Sequence, residues 1–172
     1  MKNHFTIFTL AVLLTLSLAA QSRFDSPMQG VRQAADQTVT SSTTMVNSSL
    51  SVPLETNKTY FFTIYLPFSL AGVVSGYKFD LSSPSGLANF SCTPMVYNGG
   101  SGTLLSAVPM ASVSSLVNGA LATTGDHYVE MKGNIEVGST AGNFILRFAQ
   151  NTSSASAITL KQGATMTVQE VR

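Results

Sequence analysis

Charge, histidine and cysteine are scarce in this chain, and tryptophan is missing. Of its 172 residues 10% are charged, the net charge is +1, and there are 2 His, 1 Cys and no Trp. Acid–base, nucleophilic and metal chemistry all need titratable groups gathered in one place. Their poverty argues against an enzyme, and no cofactor or metal is expected. A near-neutral balance supplies no field to hold nucleic acid or anionic lipid, so neither is an expected partner. With Cys92 alone, no intramolecular disulfide is possible. The segment Asn89-Phe90-Ser91-Cys92-Thr93-Pro94 offers no cation to activate the thiol, which reads as a small buried apolar group. What the chain does have is Gly, evenly spaced apolar residues, and Ser and Thr at roughly a quarter of the sequence, well above ordinary usage.

The first 20 residues read as a secretory signal. Lys2 and His4 precede an apolar run from Phe5 to Leu18, and the small residues Ala19 and Ala20 close it before Gln21 and Ser22. That run is short for a membrane span, which takes about 20 apolar residues, and it matches a cleaved leader. An exported protein is therefore expected, secreted or surface-associated, with no membrane insertion after cleavage at Ala20 or Ser22. Residues 21–35 show no hydrophobic period and include Pro27 and Gly30, which suggests a flexible N-terminal arm. Residues 36–172 then form a single domain. Sequons begin at Asn47, Asn57, Asn89 and Asn151, and they matter only in a host that glycosylates exported proteins.

From Asp36 onward a two-residue period dominates. Leu50, Val52 and Leu54 alternate with polar residues, as do Tyr77, Phe79 and Leu81. Tyr60, Phe62, Ile64 and Leu66 share one face of a strand whose other face carries Phe61 and Tyr65, so this strand is expected to lie between two packed layers. His127, Val129, Met131, Ile135 and Val137 face one way, and Asp126, Tyr128, Glu130, Lys132, Asn134 and Glu136 the other. Phe144, Leu146 and Phe148 point inward against Asn143, Ile145 and Arg147, and Ala164, Met166 and Val168 close the pattern. Turn signals fall between the runs, at Thr56-Asn57-Lys58, Pro84-Ser85-Gly86, Asn98 to Gly102, Asn118-Gly119, Gly138 to Gly142 and Gln162-Gly163. The expected fold class is all-β, an antiparallel β-sandwich of jelly-roll-like form. Thr103 to Leu121 fits a strand pair or one short helix, and strand with loop is preferred.

No catalytic constellation emerges. Asp126 and His127 are neighbours, but adjacent strand residues point to opposite faces, and His127 is in phase with the core residues. Gly99-Gly100-Ser101-Gly102-Thr103 misses the Gly-x-Ser-x-Gly nucleophile elbow by one position and reads as a loop. The carboxylates are scattered, and Glu130 and Glu136 lie on a wetted face. Tyr65, Tyr77, Tyr97 and Tyr128, taken as exposed, offer rings for stacking on sugars, although ordinary strand aromatics account for each of them singly.

Two segments carry a family resemblance. Asp36-Gln37-Thr38-Val39-Thr40-Ser41-Ser42-Thr43-Thr44 leads through Leu50 to Leu54 into Asn57-Lys58-Thr59-Tyr60. Near the other end stands Gly142 to Ser153, ending Phe148-Ala149-Gln150-Asn151-Thr152-Ser153, and then Ile158 to Gly163. Together they resemble a β-rich module that recurs in head-decoration, tail-fibre and minor virion proteins of tailed bacteriophages. Gly72 to Leu121 matches only in texture, and the leader departs from proteins assembled in a cytoplasm. The resemblance implies a jelly-roll-like, commonly oligomeric module with no catalytic residues.

These observations lead to a non-enzymatic extracellular or virion-like structural or attachment protein. It is expected to be a homo-oligomer, a trimer by the resemblance, with a surface glycan or a protein as a further partner. Phe61, Tyr65, Ile145 and Arg147 are the candidate interface or ligand surface. The alternatives are a secreted lectin-like carbohydrate-binding module, a hydrolase on a jelly-roll scaffold, and a fibre subunit completed by strand donation from residues 23–35.

Overall fold

The computed structural model describes residues 28–110, 112–115 and 117–171, so the expected leader and the start of the expected arm lie outside the described residues. Its strands run β1 (Met28–Arg32), β2 (Gln37–Val39), β3 (Val46–Leu54), β4 (Thr59–Leu70), β5 (Tyr77–Ser82), β6 (Asn89–Asn98), β7 (Leu104–Ala107), β8 (Val117–Gly119), β9 (Gly125–Glu136), β10 (Gly142–Ala149), β11 (Ile158–Leu160) and β12 (Thr165–Val171). Every strand pairing is antiparallel. The larger sheet follows the order β1-β12-β4-β9-β6-β7. Beyond the end of β12, β11 takes its place beside β4, and β2 pairs with β11. The smaller sheet is β3-β10-β5-β8.

The two sheets face each other through the residues that the alternation selects. Phe62 of β4 meets Phe144 of β10 edge-on, with ring centroids 5.0 Å apart. Phe68 of β4 meets Phe79 and Tyr77 of β5 at 5.2 and 5.5 Å. Leu50, Phe79, Leu81, Phe144, Leu146, Phe148, Met131 and Ile135 are completely shielded from solvent. Cys92 is buried in the same interior, and burial pushes its thiol up to about 12, which leaves it an inert apolar filler. Gly133 sits in phase with this inward set because nothing larger fits. A Cβ there would lie 2.8 Å from Cζ of Phe62 and would press on the β6 backbone.

Three expectations are corrected. The described part of the arm is not loose, because Met28–Arg32 forms the edge strand β1 in register with Thr165–Gln169. Backbone pairing rather than side-chain burial holds it, with Val31 alone packing partly on the core, so no hydrophobic period announces it. β4 is central in its sheet but covered on one face only, since Phe61 and Tyr65 are 43% and 41% exposed. Tyr77 is not an exposed ring: it is buried, and burial raises its phenol above the ordinary value. Between Thr103 and Leu121 the chain forms β7 and β8 with intervening loop, and Met110 bridges to Cys92.

Polar ties close one end of the sandwich. Gln150, fully buried at the exit of β10, accepts hydrogen bonds at Oε1 from the amides of Ser42 and Ser154, both at 3.1 Å. Its Nε2 donates to the carbonyls of Ser154 and Ser156 at 2.9 and 2.6 Å. Asp36 accepts from the Gln162 amide at 2.7 Å and from Lys161 at 3.3 Å. The two segments that carry the phage-module resemblance therefore touch each other directly.

Truncating the inward side of β10 should leave a cavity the sheets cannot close. Phe148→Ala is expected to cost about 3–5 kcal/mol and Leu146→Ala about 2–5 kcal/mol. Urea unfolding followed by tyrosine fluorescence measures both. Losses below 1 kcal/mol would show that β10 is misphased.

Candidate functional site

The four residues expected to form one surface do not meet. Phe61 and Tyr65 lie on the outer face of the larger sheet. Ile145 and Arg147 are out of phase with buried Phe144, Leu146 and Phe148, and so belong to the outer face of the smaller sheet, across the core. Sequence phasing separates inward from outward residues, but it does not say which outward residues share a sheet.

Arg147 has a structural occupation. Its cross-strand partner is Asp80, which is buried to 3% exposure although it stands on the outward phase of β5. The guanidinium grips this carboxylate with both prongs, Nε to Oδ1 at 2.8 Å and Nη2 to Oδ2 at 2.6 Å. A planar fork on a carboxylate gives the strong, directional form of ion pair. The Asp80 hydrogen bond raises the Arg147 guanidinium further above its already high value. Arg147 borders a cleft of about 480 Å³ lined also by Ser82, Ser83, Asn89, Leu81, Leu87 and Phe90.

A different set assembles on the outer face of the larger sheet. Register places Tyr97 of β6 directly opposite Tyr128 of β9, and Tyr65 of β4 sits diagonally beyond. The rings of Tyr97 and Tyr128 stack nearly parallel, centroids 4.7 Å apart, and those of Tyr128 and Tyr65 approach to 5.9 Å at a tilt of 43°. The row ends at a groove of about 320 Å³ lined by Tyr65, Pro67, Tyr128, Asp126, Gly99 and Lys161, among others. Three of the four expected tyrosines are thus gathered here, and Tyr77 is excluded by its inward phase.

His127 lies in the core with the inward residues of β9, on the other side of the sheet from Asp126. It is 2% exposed, packs against Phe68 at 5.5 Å, and its Nε2 stands 3.3 Å from the Thr123 carbonyl. Burial lowers its pKa, outweighing the pull of the Thr123 carbonyl and the Asp126 charge. A neutral ring that donates from Nε2 leaves Nδ1 as an acceptor, and that atom has no hydrogen-bond partner among the described residues. Ser101 is spent on its own loop, donating to Thr103 Oγ1 at 2.9 Å and accepting from the Thr103 amide at 3.3 Å. Among the described residues there is no group of three or more His, Cys, Asp or Glu that could hold a metal, and no helix long and apolar enough to cross a membrane.

No family model matches the chain, and no curated protein matches it. Among solved structures it is similar to the infectious bursal disease virus Gt strain structure, at 10% identity and TM-score 0.25, over 86% of this chain and 42% of that one. It is similar also to the VP2 subviral particle of infectious bursal disease virus, at 11% identity and TM-score 0.25, over 86% of this chain and 40% of that one. The chain thus spans well under half the length of these viral proteins.

The Arg147 fork makes this outward residue of β10 costly to remove. Arg147→Ala strands a buried carboxylate and should cost about 2–4 kcal/mol, nearer the lower end because the guanidinium itself is partly wetted. Adding Asp80→Asn to that variant should restore part of the loss. Chemical denaturation of the two variants decides it, and a cost for Arg147→Ala below 0.5 kcal/mol would deny the pair its role.

Proposed function

We propose that this protein is an exported, non-enzymatic structural and attachment protein that acts as a homo-oligomer of β-sandwich subunits. One observation carries the assembly half of this reading. From residue 81 to residue 125 the sequence has no Asp, Glu, Lys or Arg, and this stretch builds β6, β7 and β8. β7 and β8 are the terminal strands of their respective sheets, so one side of the sandwich is a pair of uncharged edges. Natural sheets blunt free edges with charge, above all Lys. Here the edge instead exposes Leu104 at 50%, Leu105 at 45% and Val108 at 65%. Apolar side chains beside unpaired backbone groups suit a contact with another copy. This surface replaces the Phe61, Tyr65, Ile145 and Arg147 patch expected from sequence. The motif resemblance to oligomeric phage modules supports the same role, and the leader supports an extracellular setting.

The lectin-like alternative draws on a separate observation, the tyrosine row on the larger sheet, which would serve attachment.

Light scattering coupled to size exclusion, on protein beginning at Gln21, tests the assembly. A closed oligomer is expected, a trimer first, and Leu105→Lys with Val108→Lys should release folded monomer. A monomeric wild type at high micromolar concentration would overturn the proposal.

A further inference from the structure

The outer face of the larger sheet mixes rings with polar side chains, and its exposed aliphatic residues Met28 and Val171 lie towards the β1–β12 side. Thr63, Lys132 and Asn134 surround Phe61, and Thr165 and Thr167 lie beside them on β12. A ligand with hydroxyl groups around a small apolar face would find both of its needs met at one point. Tyr97 and Tyr128 cover each other's faces, but Tyr65, at the open end of the row, is 41% exposed and forms a wall of the 320 Å³ groove. That size falls in the range of small-molecule sites. The same groove is lined by Asp126, which makes no salt bridge among the described residues, and by Lys161, whose ammonium is shared with Asp36 at 3.3 Å.

We propose that this groove is a binding site for a neutral saccharide. The C–H face of a pyranose ring stacks on Tyr65, Asp126 accepts hydrogen bonds from vicinal hydroxyls, and Lys161 donates to a third oxygen. Charge selects the class of sugar. Glu130 is paired with Lys132 and Asp36 with Lys161, and exposed Arg32 stands across Thr165 from Tyr65, so the carboxylate outside these ion pairs is Asp126, and it would repel a uronate or sulfated sugar at the position where it accepts hydroxyls. The site deepens the attachment half of the reading above. Light scattering judges the assembly half separately, so either can fail alone.

The test is calorimetric titration of the mature protein with neutral hexasaccharides of glucose, galactose, mannose and N-acetylglucosamine, with hexagalacturonate as the acidic counterpart. At least one neutral ligand should bind, and hexagalacturonate at least tenfold more weakly. Tyr65→Ala and Asp126→Ala should each weaken binding at least tenfold, while Ile145→Ala on the opposite sheet leaves it unchanged. Amide chemical shifts of the wild type should move at Tyr65, Asp126 and Tyr128, a readout that needs no variant to fold. No neutral binding at millimolar ligand, equal binding of the uronate, or shifts confined to another surface would overturn the proposal.

Discussion

A single buried amide holds one end of this fold together. Gln150 has two donors and two acceptor positions, and all are used on backbone groups from segments that are far apart in sequence. Its own amide donates to the Ser42 carbonyl at 3.3 Å, and the Ser41 amide donates to the Ser154 carbonyl at 2.8 Å. The loop from β2 to β3 is thereby stitched to the loop from β10 to β11. Because β2 and β11 belong to the larger sheet, and β3 and β10 to the smaller one, the stitch also joins the sheets. Ser41 is held in the left-handed region, with φ of 51°, a conformation that a non-glycine residue keeps when surrounding bonds fix it. Inside a protein such a network is favourable only when complete, since each orphaned group keeps its desolvation cost.

The remaining polar contacts repeat this division of labour. Apolar residues fill the space between the sheets without specifying which loops sit beside which. Polar side chains with few possible partners then fix the arrangement. Gln33 is buried between β1 and β2, where it accepts from the Ser49 hydroxyl and donates to the Ala35 carbonyl at 3.0 Å. Arg147 and Asp80 do the same across β10 and β5. With its polar residues spent on internal ties, the chain presents two contrasting surfaces. One is the uncharged side at β7 and β8, and the other is the polar, tyrosine-bearing face of the larger sheet.

Much of the sandwich was legible in the sequence because burial on one face imposes a period of two. The phases of β9 and β10 were readable residue by residue, down to His127 as a core residue. β1 was not legible, because an edge strand held by backbone pairing needs no apolar period. The partnership of Arg147 with Asp80 was hidden by the distance between them along the chain, since register between remote strands is not written in either one. The same limit split the expected surface. Phe61 and Tyr65 share a strand and stay together, but Ile145 and Arg147 belong to the other sheet. Tyr97 and Tyr128 were individually visible, and only the pairing of β6 with β9 makes them a stack. The motif that contains Gln150 was recognisable as a pattern, but its meaning lies in the grip of the Gln150 amide on the opening segment.

The central claim is that the Gln150 amide, beyond the apolar packing around it, sets the pairing of the two ends. Native-state hydrogen exchange on Gln150→Leu tests this most directly, because leucine keeps similar bulk and removes every polar contact. The account predicts that the Ser42 and Ser154 amides lose their protection, with a global loss of about 2–4 kcal/mol from the stranded backbone groups. Retained protection at those amides, with stability changed by less than 0.5 kcal/mol, would contradict it.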